Sequence, residues 1–115
     1  MKPAITIPFS RFMELAVQAG HVNDGPFGSD QHINLTDQLN YIKFAHAVAV
    51  SNDQTPILET TMNAVIQLAK DHGGYSPRGC ANMTEVAMIM QTQWEHQREL
   101  FFVRYAQAIA AELAG

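Results

Sequence analysis

The chain has 115 residues, of which 47% are hydrophobic and 16% are charged. This composition is typical of a globular domain rather than a disordered chain. We predict a single helical domain spanning residues 1–115, because the length lies within the roughly 100–200 residues of one domain. The 11 acidic and 7 basic residues are dispersed and give a formal net charge of −4, which argues against direct nucleic-acid binding.

The cysteine content and the lack of a targeting pattern indicate where in the cell the protein is expected. Cys80 is the single cysteine, so an internal disulfide is excluded and a reducing compartment is favoured. The N-terminal residues lack the apolar stretch of about 7–15 residues that a signal peptide needs, and no stretch approaches the ~18–20 apolar residues that span a bilayer. We expect a cytoplasmic protein without membrane contact.

Apolar residues recur at helical spacing in four segments, which predicts an all-α fold of about four helices. The first helix is expected from about Pro8 to Ala19, with Gly20 as its stop. The turn-forming run from His21 to Asn34 predicts a long loop with Phe27 as a buried anchor. The expected buried face of this first helix comprises Phe9, Phe12, Met13, Ala16 and Val17.

The second helix is expected to follow an N-cap at Asn34 or Thr36 and to run to about Ser51 in the centre of the fold. Thr55-Pro56 pairs an N-capping hydroxyl with a proline at the first helical position, so the third helix is predicted from there to His72-Gly73. The expected buried stripe of the second helix is Leu39, Ile42, Ala45, His46 and Ala49, and Tyr41, Phe44 and Val48 widen it beyond one face, as in a helix packed between neighbours. The expected buried residues of the third helix are Leu58, Met62, Val65, Ile66 and Ala69.

The fourth helix is expected to be unusually long. Asn82 followed by Glu85 resembles a capping box, and nothing interrupts the helical pattern before Gly115. At ~1.5 Å per residue, about thirty residues extend ~45 Å, whereas a compact domain of this size is ~35 Å across. Because this helix carries apolar residues on two sides, we predict that one side folds the domain and the other binds a protein.

Methionine and aromatic side chains on the fourth helix support this interpretation, because methionine repacks easily and tryptophan often dominates interfaces. A core role is the simpler alternative. We expect the chain to pack as a homodimer, although the sequence does not separate the face that dimerises from the face that binds a partner. The candidate protein-binding residues are Val86, Met88, Ile89, Trp94, Phe102 and Val103.

Two other functions are open at this point. His46, His72, His96 and Cys80 could serve a small metal- or thiol-dependent enzyme. No two histidines lie four residues apart, however, and a lone cysteine after a turn is usually a small buried residue. A structural subunit of a phage or secretion assembly is the other alternative. We expect no catalytic residue, no metal site and no cofactor.

The chain resembles the small all-helical anti-activators that disable acyl-homoserine-lactone-responsive quorum-sensing transcription factors in Pseudomonas. The similarity lies in the overall size, the four-helix pattern and the amphipathic C-terminal helix from Asn82 to Ala114. It implies a homodimer that occupies the dimerisation surface of a transcription factor and thereby prevents that factor from binding DNA.

Overall fold

The structure is a computed structural model that describes residues 7–21, 33–76 and 83–115, apart from the side chain of Leu58. The predicted all-α fold and long C-terminal helix are confirmed. Phe27, the predicted loop anchor, lies outside the described residues. The described part contains four α-helices and a single-turn 3-10 helix: α1 Phe9–Gln18, α2 Leu35–Gln54, the 3-10 turn Ile57–Glu59, α3 Met62–His72 and α4 Glu85–Ala114.

The C-terminal end of α1 agrees with the prediction, because Gly20 adopts a left-handed conformation with φ 106°. The His21 N–H donates to the Ala16 carbonyl and the Gly20 N–H donates to the Val17 carbonyl, and these two bonds define a Schellman motif. The turn directs the His21 ring into the core, where its Nδ1 lies 2.6 Å from the Tyr41 hydroxyl.

The buried face of α1 differs from the predicted face. Phe9 was expected in the core but is half exposed. Arg11 joins the outer side of α1 to the end of α4, because its Nε and Nη2 donate to the two carboxylate oxygens of Glu112 at 3.2 and 3.1 Å. Such a two-point ion pair fixes orientation as well as distance. The fully buried residues of α1 are Phe12, Leu15 and Ala16.

Helix α2 is the central element and contacts α1, α3 and α4. Its N-cap is Asn34, whose side chain accepts a hydrogen bond from the Asp37 N–H at 2.8 Å. The predicted buried stripe is only partly correct, because Leu39 and His46 are exposed. The buried side chains of α2 are Tyr41, Phe44, Ala45 and Val48.

The connection between α2 and α3 corrects the predicted boundary at Thr55-Pro56. α2 continues to Gln54, beyond its predicted end at about Ser51, and Thr55 is its C-cap. The Asn52 side chain accepts from the Ile57 N–H at 2.9 Å and so supports the 3-10 turn. Thr61 is the true N-cap of α3, and its hydroxyl accepts from the Ala64 N–H.

The end of α3 lies where the sequence predicted, with His72 as the last helical residue and Gly73 as the C-cap. Gly74 follows in a left-handed conformation with φ 71°. The left-handed backbone favours glycine here, and a Cβ atom would in addition require the Asn40 side chain of α2 to shift. The turn places Tyr75 in the core against Phe102.

The centre of the core is an aromatic cluster formed by α2 and the second half of α4. Tyr41 and Phe44 of α2 pack on Phe101, Phe102 and Tyr105 of α4, with ring centroids 5.1–6.3 Å apart. Edge and offset contacts of this kind stabilise a core beyond the area that they bury. The cluster therefore fixes the second half of α4 on the other helices.

Helix α4 contains 30 residues, or ~45 Å at ~1.5 Å per residue, and the longest dimension of the molecule is 48 Å. The predicted N-cap Asn82 lies outside the described residues. The N-cap is Thr84, whose hydroxyl accepts from the Ala87 N–H at 3.2 Å. All fully buried residues of α4 lie in its second half: Phe101, Phe102, Tyr105, Ala106, Ile109, Ala110 and Leu113.

Candidate protein-binding surface

The first half of α4 exposes large apolar side chains that the core does not cover. Val86 is 68% exposed, Met90 64% and Trp94 37%. Among the described residues, none between Tyr75 and Phe101 belongs to the buried core. Exposed apolar groups that lie together on one surface are typical of interaction sites. We call Val86, Ile89, Met90 and Trp94 the α4 apolar surface, and Met88 is a fifth exposed apolar side chain of this helix half.

Helical spacing orders these side chains. Val86, Met90 and Trp94 are four residues apart and form one ridge along the helix. Ile89 lies beside this ridge, whereas Met88 projects from the opposite side of α4. The ridge extends ~12 Å at ~1.5 Å per residue, and four of the five apolar side chains therefore present one continuous stripe.

The first half of α4 is held in helical form mainly by local contacts. Beyond the Thr84 cap, the Gln91 side chain donates to Glu95 at 3.0 Å, and the Thr92 hydroxyl donates to the Met88 carbonyl at 2.9 Å. Side-chain pairs four residues apart each stabilise a helix by only about 0.2–0.5 kcal/mol. These local bonds therefore stabilise the first half of α4 only weakly.

The structure distributes the six predicted contact residues between surface and core. Val86, Met88, Ile89 and Trp94 are exposed. Phe102 is fully buried against Phe44 and Tyr41, so its assignment as a contact residue is wrong.

Val103 is partly buried and packs against the core, so it is not a freely exposed contact residue either. Helical periodicity allowed Phe102 and Val103 to lie on an outer face of α4. The aromatic cluster with α2 places them inside instead.

Met90 was not among the predicted contact residues, although it lies on the same exposed ridge. It is among the most exposed apolar side chains of the described part. The available signal was its spacing, four residues after Val86 and four before Trp94.

Where the exposed first half of α4 meets its buried second half, Arg98 covers the aromatic core. Its guanidinium carbon lies 5.3 Å from the ring centroid of Phe101 and 5.2 Å from that of Phe102. Cation–π contacts of this kind are worth about 0.5–2 kcal/mol. Arg98 Nη1 also lies 3.5 Å from the Tyr41 hydroxyl, so one side chain links α4 to α2 at this boundary.

Tyr75 holds the same boundary from the turn after α3. Its buried ring packs on Phe102, and its hydroxyl donates to Glu99 Oε1 at 3.2 Å. Burial, and then the negative charge of Glu99, raise the pKa of Tyr75 to about 12, because both disfavour a phenolate. At neutral pH this hydroxyl is therefore a stable hydrogen-bond donor.

The residues proposed for a metal- or thiol-dependent enzyme are not assembled into a site within the described part. His21 is hydrogen-bonded in the core, and His96 is exposed on α4. Residues 7–21, 33–76 and 83–115 contain no group of three or more His, Cys, Asp or Glu side chains that could hold a metal ion. Cys80 and His32 lie outside these residues.

His46 and His72 instead line an open groove between α2 and α3 with a volume of about 650 Å³. We call it the α2/α3 groove. Lys43 supplies a full positive charge, and Ala47, Val50 and Leu68 supply apolar surface. None of the described residues that line it is acidic. Its lining residues are Lys43, His46, Ala47, Val50, Ser51, Gln54, Leu68 and His72.

A second open groove, of about 590 Å³, runs along the outer side of α1. The exposed ring of Phe9 lies at one end, and the partly buried Met13 and Val17 follow at four-residue spacing. Glu14 is its one charged lining residue among those described. This groove offers apolar surface without the positive charge that marks the α2/α3 groove.

The fold and these surfaces define an all-helical protein with an exposed apolar helix half. In the part of the chain that the structure describes, no helix has both the length and the apolar character to cross a bilayer. Comparison with known proteins finds no matching family, no similar curated protein and no similar solved structure.

Proposed function

We propose that this protein is a non-enzymatic regulator that binds and sequesters another protein through the α4 apolar surface. The observation that carries this proposal is the exposure of five large apolar side chains on one helix half. Each such side chain is worth about 1.5–3 kcal/mol when it is fully removed from water. Methionine-rich surfaces also adapt readily to a partner.

The partner that we propose is a cytoplasmic quorum-sensing transcription factor, bound at its dimerisation surface so that it no longer binds DNA. The resemblance to small all-helical anti-activators supports this choice. A projecting apolar helix supports the mechanism, because helix-in-groove binding competes directly with a contact between two helices of a dimer. The dispersed charge and net charge of −4 favour action on the factor rather than on its DNA.

The test mixes the full chain with a purified acyl-homoserine-lactone-responsive transcription factor in the presence of its signal. We expect light scattering to detect a complex and a gel-shift assay to show loss of DNA binding. Trp94→Ala should weaken the complex about 30-fold or more, which corresponds to ~2 kcal/mol. Met90→Ala should weaken it less.

Met62→Ala is the matched control. Met62, which the sequence placed on the buried face of α3, is 38% exposed and is the first residue of that helix. We expect this variant to bind like the wild type. Unchanged DNA binding by the factor in an excess of this protein would overturn the proposed target. Wild-type binding by Trp94→Ala and Met90→Ala together would overturn the assignment of the surface.

A further inference from the structure

Met90 is the most exposed methionine of the described part and lies in the middle of the α4 apolar surface. The residue is 64% exposed, compared with 41% for Met88 and 38% for Met62, and the other described methionines are partly buried. Val86 precedes Met90 by four residues and Trp94 follows it by four, so the thioether lies between two apolar neighbours on one ridge. A reagent dissolved in water therefore reaches this side chain more readily than any other described methionine.

An exposed thioether reacts with hydrogen peroxide. The sulfur lone pair attacks one peroxide oxygen, the O–O bond breaks and a sulfur–oxygen bond forms. The proton on the transferred oxygen passes to the departing hydroxide, which leaves as water. The sulfur loses two electrons and the peroxide gains them. The product, methionine sulfoxide, is polar, and methionine sulfoxide reductases return it to the thioether.

A single sulfoxide would change the chemistry of the ridge, because the stretch 86–94 contains no charged residue. A polar oxygen that is buried in an apolar contact without a hydrogen-bond partner costs free energy. Oxidation of Met88 would not have this effect, because its side chain projects from the opposite side of α4. The position of Met90 on the ridge, together with its exposure, therefore distinguishes it from the other methionines.

We propose that Met90 is a site of reversible oxidation by hydrogen peroxide, and that its sulfoxide removes the apolar character of the ridge and so weakens binding there. Oxidation acts on the free protein, because a bound partner would cover the ridge. The fold is unaffected, since Met90 lies outside the buried core. The effect on a partner rests on the proposed function, whereas the site of oxidation and the loss of apolar surface are properties of this protein alone.

The first experiment uses the full chain by itself. Cys80→Ser serves as the parent, because Cys80 is the one thiol that peroxide could also oxidise. After treatment with hydrogen peroxide, peptide mass spectrometry should show Met90 oxidised fastest among the described methionines. The oxidised parent should elute earlier from a hydrophobic-interaction column, and methionine sulfoxide reductase should restore its retention. Met90→Leu in the same background is the control, because it keeps an apolar side chain without sulfur, and its retention should not change with peroxide.

The second experiment measures binding to the transcription factor after the peroxide has been removed. The oxidised parent should bind about tenfold or more weakly than the untreated parent, because the sulfoxide enters an apolar contact. Oxidised Met90→Leu should keep its affinity. Oxidised Met88→Leu should lose affinity as the parent does, because it retains Met90.

Three results would overturn the inference: oxidation of Met90 no faster than that of the partly buried methionines, unchanged column retention once Met90 is oxidised, or an equal loss of retention by Met90→Leu. A loss of helix content by circular dichroism on oxidation would also contradict it, because the change would then act on the fold. If the untreated chain binds no transcription factor, the proposed function fails, and the mass spectrometry and the column still decide this inference.

Discussion

The two halves of α4 carry large apolar side chains in opposite surroundings. In the second half, Phe101, Phe102 and Tyr105 are buried against α2. In the first half, Val86, Ile89, Met90 and Trp94 remain exposed. Side-chain hydrophobicity therefore does not by itself place a residue in the core. The position of neighbouring helices decides which apolar face folds the chain and which remains available to another molecule.

The largest difference in the free energy of unfolding should be between a variant truncated at a buried residue of α4 and one truncated at an exposed residue. Phe102→Ala should lower the free energy of unfolding by about 3–5 kcal/mol, because it removes a fully buried ring from the aromatic cluster. Ile89→Ala should change it by less than about 0.5 kcal/mol, as for surface positions in general. Urea unfolding of both variants measures the difference. Equal losses would mean that the first half of α4 is packed as tightly as the second.

Alkaline pH should lower the stability of the fold through ionisation of Tyr75, whose side chain lies between the two halves of α4. Its pKa in the folded protein is raised to about 12, above the ordinary value of about 10. A raised pKa stabilises the fold fully below pH ~10, and this contribution is lost as the pH rises towards 12. The loss should be at most about 3 kcal/mol, since each of the two pKa units corresponds to ~1.4 kcal/mol.

The comparison that isolates this effect is the unfolding free energy of the wild type and of Tyr75→Phe between pH 9 and 11, roughly the range in which tyrosine begins to ionise. Phenylalanine keeps the ring contact with Phe102 and has no group to ionise. The stability of the variant should therefore decline less steeply with pH. Parallel curves for the two proteins would show that Tyr75 is not the group responsible.

Removal of a buried hydroxyl in the second half of α4 should raise the free energy of unfolding by a small amount, whereas the changes above lower it. Tyr105 Oη is buried and has no hydrogen-bond partner among the described residues, and burial raises its pKa. Tyr105→Phe should stabilise the protein by about 1 kcal/mol, because it removes an unsatisfied buried polar group and keeps the ring. Tyr41→Phe is the matched control and should destabilise, since the Tyr41 hydroxyl pairs with His21. A destabilised Tyr105→Phe would indicate an unseen partner for that hydroxyl.

The smallest effect on stability should come from the ridge itself. Val86→Ser and Met90→Ser should leave the free energy of unfolding in urea within about 0.5 kcal/mol of the wild type. The same substitutions should weaken the complex with the proposed partner, because they remove exposed apolar groups from the α4 apolar surface. Light scattering of each variant mixed with the transcription factor checks this. Reduced stability with unchanged partner binding would reverse the roles assigned to the two halves of α4.

Helix ends were predictable where a single residue type decided the local backbone. Gly20 ends α1, and His72-Gly73 ends α3, as the sequence indicated. The start of α3 was not predictable in this way, because Thr55-Pro56 and Thr61 both resemble helix N-caps. The extended conformation of Pro56 and the hydrogen bond from the Ile57 N–H to the Asn52 side chain select the second of them.

The buried faces were less predictable than the helices. α2 is apolar around much of its circumference, so its pattern suggested Leu39 and His46 for the core as well as Tyr41 and Phe44. The structure buries only Tyr41 and Phe44 of these four. The same ambiguity led to the wrong assignment of Phe102. Four of the six predicted contact residues are exposed, and whether they bind a protein stays a prediction. Local spacing specifies a stripe, but it does not specify which neighbour covers that stripe.

The sequence by itself determined the all-α class, the long C-terminal helix and the excess of apolar side chains on it. Helix propensity, capping residues and helical spacing are local signals that act over a few residues, so they are visible in the amino-acid sequence itself. Only the tertiary structure decided that the aromatic cluster covers the second half of α4 and leaves Val86, Met90 and Trp94 exposed. That choice depends on contacts between α2 and α4, which are far apart in sequence, and on how many side chains one small core can bury.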